Sequence, residues 1–436
     1  MKYFSTNRES QVIDFREATI KGQPDDKGLF FPVAIPQVEK ELLNEVEGLA
    51  NEEIAFRVIK PYIGDTISEE SLFEIVAETV NFPIPLIKVT DDIYSLELFH
   101  GPTLAFKDVG ARFMSRCLSH FVKDRSEDIT ILVATSGDTG GAVANGFYDV
   151  EGVNVIILYP SGKVSPVQEK QLTTLGKNIH ALEVKGNFDD CQRMVKQAFA
   201  DTELNQKLRL TSANSINVAR WLPQQFYYFF AYKQWLRSGL GDQRKPPVIS
   251  VPSGNFGNIC AGILAWSSGL PVKHFIAACN SNDVVSDYLR TEVLKPKQTA
   301  PTLSNAMDVG DPSNFVRILE IFNHRFPDVE SMLSSYTISD EETLQTIKEV
   351  FRQYNYTCDP HGAVGFLSLQ RWLNDNPGNK GYFIETAHPV KFPDAVEEAT
   401  GINVELPFAV KEIMQSEKRS TIISPRFEEL KDLLLK

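Results

Sequence analysis

The sequence runs to 436 residues, 42% hydrophobic and 23% charged, with a formal net charge of −13. At roughly 100–200 residues per domain, that length holds two to four domains with real cores, and the balanced composition argues against collagen, coiled coil and intrinsic disorder. The acidic balance disfavours nucleic acid held on a general basic surface, while a local basic pocket for a small anion stays open.

Five cysteines occur, Cys117, Cys191, Cys260, Cys279 and Cys358, and no two are spaced as CxxC. An odd count without that spacing argues against a disulfide framework or a zinc ribbon, so a reducing, cytoplasmic setting and no metal site are expected. The opening MKYFSTNRESQVIDF holds no apolar run of signal length. No uninterrupted apolar stretch reaches the ~18 residues of a spanning helix, so no membrane association is expected.

Residues 1–90 form a first, mostly helical domain. A turn-rich piece at 21–28 (KGQPDDKG) precedes apolar residues at helical spacing, as in 68–80 (SEESLFEIVAETV). Ser68 followed by Ser71 makes a poor capping box, but Glu69, Glu70 and Glu74 suit a helix start. Two prolines within 81–85 (NFPIP) mark a linker or a domain edge.

A different rhythm follows. Residues 128–135 (DITILVAT), 154–159 and 179–184 read as buried strands, alternating with helices at 142–148, 165–175 and 188–199. This predicts parallel strands with right-handed crossovers in a first α/β domain, 91–215. A second, 216–436, repeats it with strands at 247–252, 274–279 and 381–386, a helix from 259, and helices at 341–354 and 363–372. The aromatic run 221–235 (WLPQQFYYFFAYKQW) reads as a buried helix packing the two halves together. No repeat of 20–50 residues is present.

In open parallel sheets, ligands bind where strands end and loops lead into helices. Three loops lie there. The loop 253–258 (SGNFGN) carries Gly254 and Gly257, which let the backbone approach a ligand, before a helix whose free N–H groups favour an anion. The residues alone allow a phosphate cradle or a plain glycine-containing turn. No GxxxxGK[ST] occurs, which excludes a Walker A loop. The loop 136–141 (SGDTGG) contains one Asp-Thr-Gly. An aspartic protease needs two such carboxylates, so an anion-binding helix start or a capped turn are the readings that remain. The third loop carries Thr386, in ETAHP.

A fourth element, 100–108 (HGPTLAFKD), sets Lys107 after Leu104, Ala105 and Phe106. Desolvation favours a neutral amine, and a neutral amine can form a Schiff base with an aldehyde cofactor. With a phosphate loop, this is what pyridoxal phosphate requires, and the Thr386 hydroxyl can meet its ring nitrogen.

HGPTLAFKD, ATSGDTGGA, LYPSGKVSPVQEKQ, SANSINVARWLPQ, VPSGNFGN, LSNAMDVG and ETAHPVKF, with GLFFP and YIGD earlier, closely resemble the threonine synthase family of the longer bacterial and fungal type. The resemblance covers nearly the whole chain. It implies a fold type II (tryptophan synthase β-like) pyridoxal-phosphate enzyme, with two parallel-sheet α/β domains and an N-terminal mostly helical unit. The family's cofactor lysine falls on Lys107. Its phosphate loop falls on Ser253, Gly254, Asn255, Phe256, Gly257 and Asn258, and its ring-nitrogen hydroxyl on Thr386. Substrate contacts fall on Ser136, Gly137, Asp138 and Thr139, and on Asn217 and Arg220; Lys163 is either a further partner for the substrate phosphate or a solvated lysine at a helix start. Related enzymes often carry Asn where this chain has Asp138. The implied reaction turns O-phospho-L-homoserine and water into L-threonine and phosphate, in a monomer or homodimer. The competing readings are a pyridoxal-phosphate serine/threonine dehydratase, which needs no pocket for a substrate phosphate, and a non-catalytic phosphometabolite-binding protein, which does not need Lys107.

Overall fold

The computed structural model describes residues 1–123, 128–239 and 245–436. The chain forms two compact units from interleaved segments. The first comprises Met1, Phe31–Phe106 and Trp221–Val404; the second comprises Lys2–Phe30, Lys107–Arg220 and Glu405–Lys436. The segments that the sequence groups as residues 1–90, 91–215 and 216–436 therefore each contribute to both.

The first unit is built on a six-stranded sheet, in the order Leu333–Thr337, His274–Cys279, Val248–Pro252, Gly381–Glu385, Ile93–Glu97, Leu86–Lys88. Five strands run parallel, and Leu86–Lys88 pairs antiparallel at one edge. Val248, Ile276 and Phe383 of the sheet pack with Phe366, Leu369 and Trp372 of the helix Pro360–Asp375. Each fully buried side chain of this size contributes ~1.5–3 kcal/mol through lost water contact. The helices Asn51–Ile63 and Glu69–Thr79 also belong here. Ser68 caps the latter, its Oγ accepting the Ser71 N–H at 3.3 Å. Their rings meet edge-on, Phe56 against Phe73 at 5.6 Å.

The second unit holds an all-parallel five-stranded sheet, in the order Thr421–Ile423, Ile179–Val184, Val153–Pro160, Ile129–Ala134, Arg209–Ser212. Leu132, Leu158 and Leu182 pack beneath the helix Phe188–Ala200, through Met194 and Val195. The N-terminal part adds strand as well as helix: Lys2–Ser5 pairs antiparallel with Ile13–Asp14, ahead of the helix Phe15–Lys21.

The apolar runs at 128–135, 154–159, 179–184, 247–252, 274–279 and 381–386 all became strands, to within one or two residues. The helix predicted from 142 starts earlier, at Asp138. Thr135 Oγ1 accepts the N–H groups of Gly137 and Gly140, at 3.0 and 2.9 Å, and so winds the glycine-rich turn into the first helical turn. The run 221–235 divides into the 3₁₀ turn Leu222–Gln225 and the helix Phe226–Arg237, both buried in the first unit.

Candidate functional site

In the first unit, strand order reverses between Val248–Pro252 and Gly381–Glu385. Chain progression runs one way to His274–Cys279 and Leu333–Thr337, and Gly381–Glu385 returns to the other side. This switch point leaves a crevice beyond the strand ends. Ser250 pairs with Phe383, so the loop beginning at Ser253 and the residue Thr386 leave the sheet side by side.

The loop 253–258 is tightly held. Ser253 donates its backbone N–H to the Ala278 carbonyl at 2.9 Å and its Oγ to the Val251 carbonyl at 2.7 Å. Asn255 Oδ1 accepts the Ser313 N–H at 2.7 Å. Phe256 adopts the left-handed conformation, φ 60° and ψ 11°, and caps the helix Gly257–Ser267. A bulky residue there costs ~1–2 kcal/mol. Its ring, buried edge-on against Phe315 at 5.6 Å, offsets that cost. A Cβ on Gly254 would lie 2.6 Å from Met307 Cα, so only glycine lets these backbones pass. The outcome is a helix start presented with its N–H groups outward, the geometry that binds anions. Asn258, in the first helical turn, is 6% exposed, and its buried Nδ2 has no hydrogen-bond partner.

Thr386 is 6% exposed, and its hydroxyl makes no hydrogen bond among the described residues. Its carbonyl accepts the Phe106 N–H at 2.9 Å, Ala105 bridges Ala387, and His388 N–H donates to the Leu104 carbonyl at 3.0 Å. The residues that lead into Lys107 are thus zipped to ETAHP. Leu104 takes φ 58° to make this turn.

In the second unit, strand order reverses between Ile129–Ala134 and Arg209–Ser212. Leu132 pairs with Ser212, so the loops 135–138 and 213–217 emerge together. Lys107 opens the helix Lys107–Val122, and its Nζ lies 4.0 Å from Asp138 Oδ2. Asp138 is 4% exposed, and its Oδ1 accepts Gln168 Nε2–H at 3.0 Å. Gln168 also receives the Ser165 N–H on Oε1 at 3.1 Å, as half of a capping box. The cap fixes which end of the amide faces Asp138. A Cβ on Gly137 would lie 2.5 Å from that amide. Ser136 and Thr139 stand half-buried on the same turn.

Both amide hydrogens of Asn217 go to carbonyls, Thr19 at 2.9 Å and Ser212 at 3.2 Å, and its Oδ1 accepts the Ala219 N–H at 3.0 Å. Fully buried, it braces the loop. Arg220 donates from Nη1 to the Ala213 carbonyl. Burial lowers its guanidinium to about 10 against the opposing charge of Asp108. Lys163 is exposed, just past the end of Val153–Pro160.

Two groups escaped the sequence reading. Gln168 was signalled by its S-x-x-Q cap. The other is a buried acid cluster beside Thr386. Glu385 Oε1 accepts the Asp359 N–H at 2.6 Å, and Asp359 Oδ1 accepts His361 Nδ1–H at 2.5 Å. His361 Nε2 accepts the Ala306 N–H at 3.2 Å, and so holds the segment that passes Gly254. Burial, then the charge of Asp359, pushes the Glu385 carboxyl well above its ordinary range. The only local sign was the acid next to Thr386.

A family model described as pyridoxal-phosphate dependent enzyme matches residues 82–381. Models described as threonine synthase N terminus and threonine synthase, C-terminal match residues 2–80 and 362–434. A curated threonine synthase from Serratia marcescens is 43% identical, over 100% of this chain and 99% of its own. One from Escherichia coli K12 is 45% identical over 93% of both. The crystal structure of threonine synthase from Escherichia coli superposes with a TM-score of 0.92 at 43% identity, covering 100% of this chain and 99% of that one. The pyridoxal-phosphate-bound threonine synthase from Brucella melitensis gives 0.92 at 35% identity, covering 100% and 98%. The chain belongs to the threonine synthase family.

Proposed function

We propose that this protein converts O-phospho-L-homoserine and water to L-threonine and phosphate with pyridoxal phosphate, Lys107 being the residue that joins the cofactor. The observation that carries the reading is the first unit's switch point, where an anion-binding helix start and an uncommitted, buried hydroxyl leave neighbouring strands. Its chemistry fits the group: the left-handed loop and Asn258 Nδ2 suit the phosphate, and Thr386 Oγ1 suits a ring nitrogen. A neutral hydroxyl leaves that nitrogen free of the proton a carboxylate would impose. Whole-chain likeness to threonine synthases supports the substrate.

When bound, the cofactor's conjugated ring withdraws electrons from the substrate α-carbon. The chain's part is to move protons and hold charge. Once the substrate amine has replaced it, the Lys107 amine takes protons from Cα and Cβ. Phosphate departs from Cγ, and Lys107 returns a proton there to make the methyl group. Water oxygen then bonds to Cβ as one of its O–H bonds breaks, its proton balancing the one the departing phosphate takes up, and the second proton held by Lys107 returns to Cα, so that atoms balance as threonine plus phosphate. Asp138, 4.0 Å from Lys107 Nζ, faces the amine that carries these protons. The helix start at Asp138 and Arg220 supply positive potential for the substrate's anionic groups.

No helix among the described residues is long and apolar enough to cross a membrane. All five cysteines are free and buried, which supports a reducing, cytoplasmic setting. The test is phosphate release from O-phospho-L-homoserine, with and without pyridoxal phosphate, beside ammonia release from L-threonine. Cofactor-dependent phosphate release that Lys107→Ala abolishes is expected. Ammonia release alone, or wild-type turnover in that variant, overturns the reading.

A further inference from the structure

Two consecutive tyrosines converge on one side chain of the loop. Tyr227 and Tyr228, in the helix Phe226–Arg237, donate their hydroxyls to Asn258 Oδ1 at 2.7 and 2.8 Å. Tyr228 Oη also lies 3.0 Å from the Asn258 carbonyl oxygen and Tyr227 Oη 3.3 Å from Gln224 Oε1, longer contacts that compete for the single proton each phenol donates to Oδ1. Both phenols are fully buried, and burial raises them far above their ordinary range, so they remain protonated donors. The space for this is specific: a Cβ on Gly262, one turn after Asn258, would lie 2.6 Å from the Tyr228 ring.

A primary amide has one accepting end and one donating end. With Oδ1 occupied by two hydroxyls, Nδ2 is turned away from them, and it is the buried atom left without a partner. Turned over, the same amide would donate from Nδ2 to the phenol oxygens, whose protons would turn to the Asn258 carbonyl and Gln224 Oε1, and would leave Oδ1 in its place, where it would repel an anion. We infer that Tyr227 and Tyr228 are positioning residues, holding the Asn258 amide with its N–H₂ end directed to the phosphate of the cofactor. An unpaired buried amide is costly. The phosphate supplies the missing acceptor, so the pair of hydroxyls prepares the loop for an anion before one arrives.

This inference rests on the reading of 253–258 as the phosphate loop, and the test separates the two. The full-length chain, freed of cofactor, is titrated by absorbance with pyridoxal phosphate and with pyridoxal, which lacks the phosphate. The double variant Y227F/Y228F is expected to bind pyridoxal phosphate at least tenfold more weakly and pyridoxal within twofold of wild type. Asn258→Ala is expected to show the same selective loss, and adding the tyrosine changes to it is expected to cost nothing more. Equal losses for both aldehydes mean a merely structural role and overturn the inference. Wild-type affinity in the tyrosine variant, beside a loss in Asn258→Ala, overturns it while the loop reading stands. No effect of Asn258→Ala removes the loop reading and the inference with it. If circular dichroism shows the double variant unfolded, Y227F alone, which keeps the Tyr228 bond, is read by the same ratio, with threefold as its threshold.

Discussion

Lys107 Nζ stands 4.0 Å from Asp138 Oδ2, across the start of two helices in one unit. Unit charges at that distance attract by about 4 kcal/mol at an effective dielectric of 20. Asp138 is therefore a partner for the amine that chain order alone did not reveal, because 31 residues separate them. In Asp138→Asn the carboxylate facing the amine is gone, and turnover is expected to fall by about a hundredfold, the lower end of the range for a group that serves proton transfer. A phosphate-release assay checks it. Wild-type turnover would show that the contact does not serve the amine.

Glu385 offers a test by pH. Its carboxyl is held above the 4.5 of a free glutamate, chiefly by burial. The folded protein thus keeps a proton that the unfolded chain releases above pH 4.5. Stability falls as pH rises through that window, by about 1.4 kcal/mol per unit for one proton. Glu385→Gln keeps a neutral side chain of the same shape. It is expected to stay within ~1 kcal/mol of wild type near pH 5 and to lose the slope. Glu385→Ala leaves the Asp359 N–H unpaired beside a cavity and is expected to cost ~3 kcal/mol. Urea unfolding between pH 5 and 8 reads all three, and parallel slopes for wild type and Gln would refute the assignment.

Gly254 is a steric requirement. Alanine there puts a methyl 2.6 Å from Met307 Cα and 3.0 Å from the Ala306 carbonyl oxygen, both main chain. Gly254→Ala is expected to destabilise by ~1–3 kcal/mol and to weaken cofactor binding as the loop shifts. Thermal unfolding and a cofactor titration measure the two effects. Unchanged values for both would mean that the loop has room to spare.

Lys418 sits in the second unit with Glu169 Oε1 at 2.7 Å and Glu183 Oε2 at 2.6 Å. Burial alone would raise Glu183, but hydrogen bonds from Lys418 and Ser161 outweigh it and bring the carboxyl to about 2. The associated stability is present above pH 4.5 and is lost as pH falls toward 2. Lys418 is 35% exposed, so Lys418→Met is expected to cost only about 1 kcal/mol at pH 7. The difference closes toward pH 2. A gap that persists in acid would point to lost packing instead.

The strands that were legible share one property: a continuous apolar run, as in ITILVA at 129–134, all buried. Two of those that were missed carry polar residues inside. Ile93–Glu97 (IYSLE) lies within the first sheet, yet holds Ser95 and Glu97, which Tyr356 reaches from the loop before the helix Pro360–Asp375 at 2.9 and 3.0 Å. Leu333–Thr337 (LSSYT) likewise depends on Ser335 bonding to the Ala277 carbonyl at 2.8 Å. Such pairings join residues far apart in sequence, so local pattern does not carry them. In the site, the loops and Thr386 were readable because they follow obvious strands. Gln168 showed only as a helix cap, and the acid cluster and the tyrosine hydroxyls did not show, because each acts through a partner on another element. The aromatic run at 221–235 read as packing, and its rings do pack; the hydroxyls of Tyr227 and Tyr228 are what periodicity leaves out.

The strand Thr421–Ile423 closes one edge of the second sheet by pairing with Ile179–Val184. During synthesis that partner emerges from the ribosome long after the rest of the sheet. Until then Ile179–Val184 stands as an open template, with bare amides and carbonyls that another nascent chain can copy. A C-terminal truncation that removes 421–423 makes that hazard permanent, so its first symptom is insoluble aggregate rather than a slow enzyme.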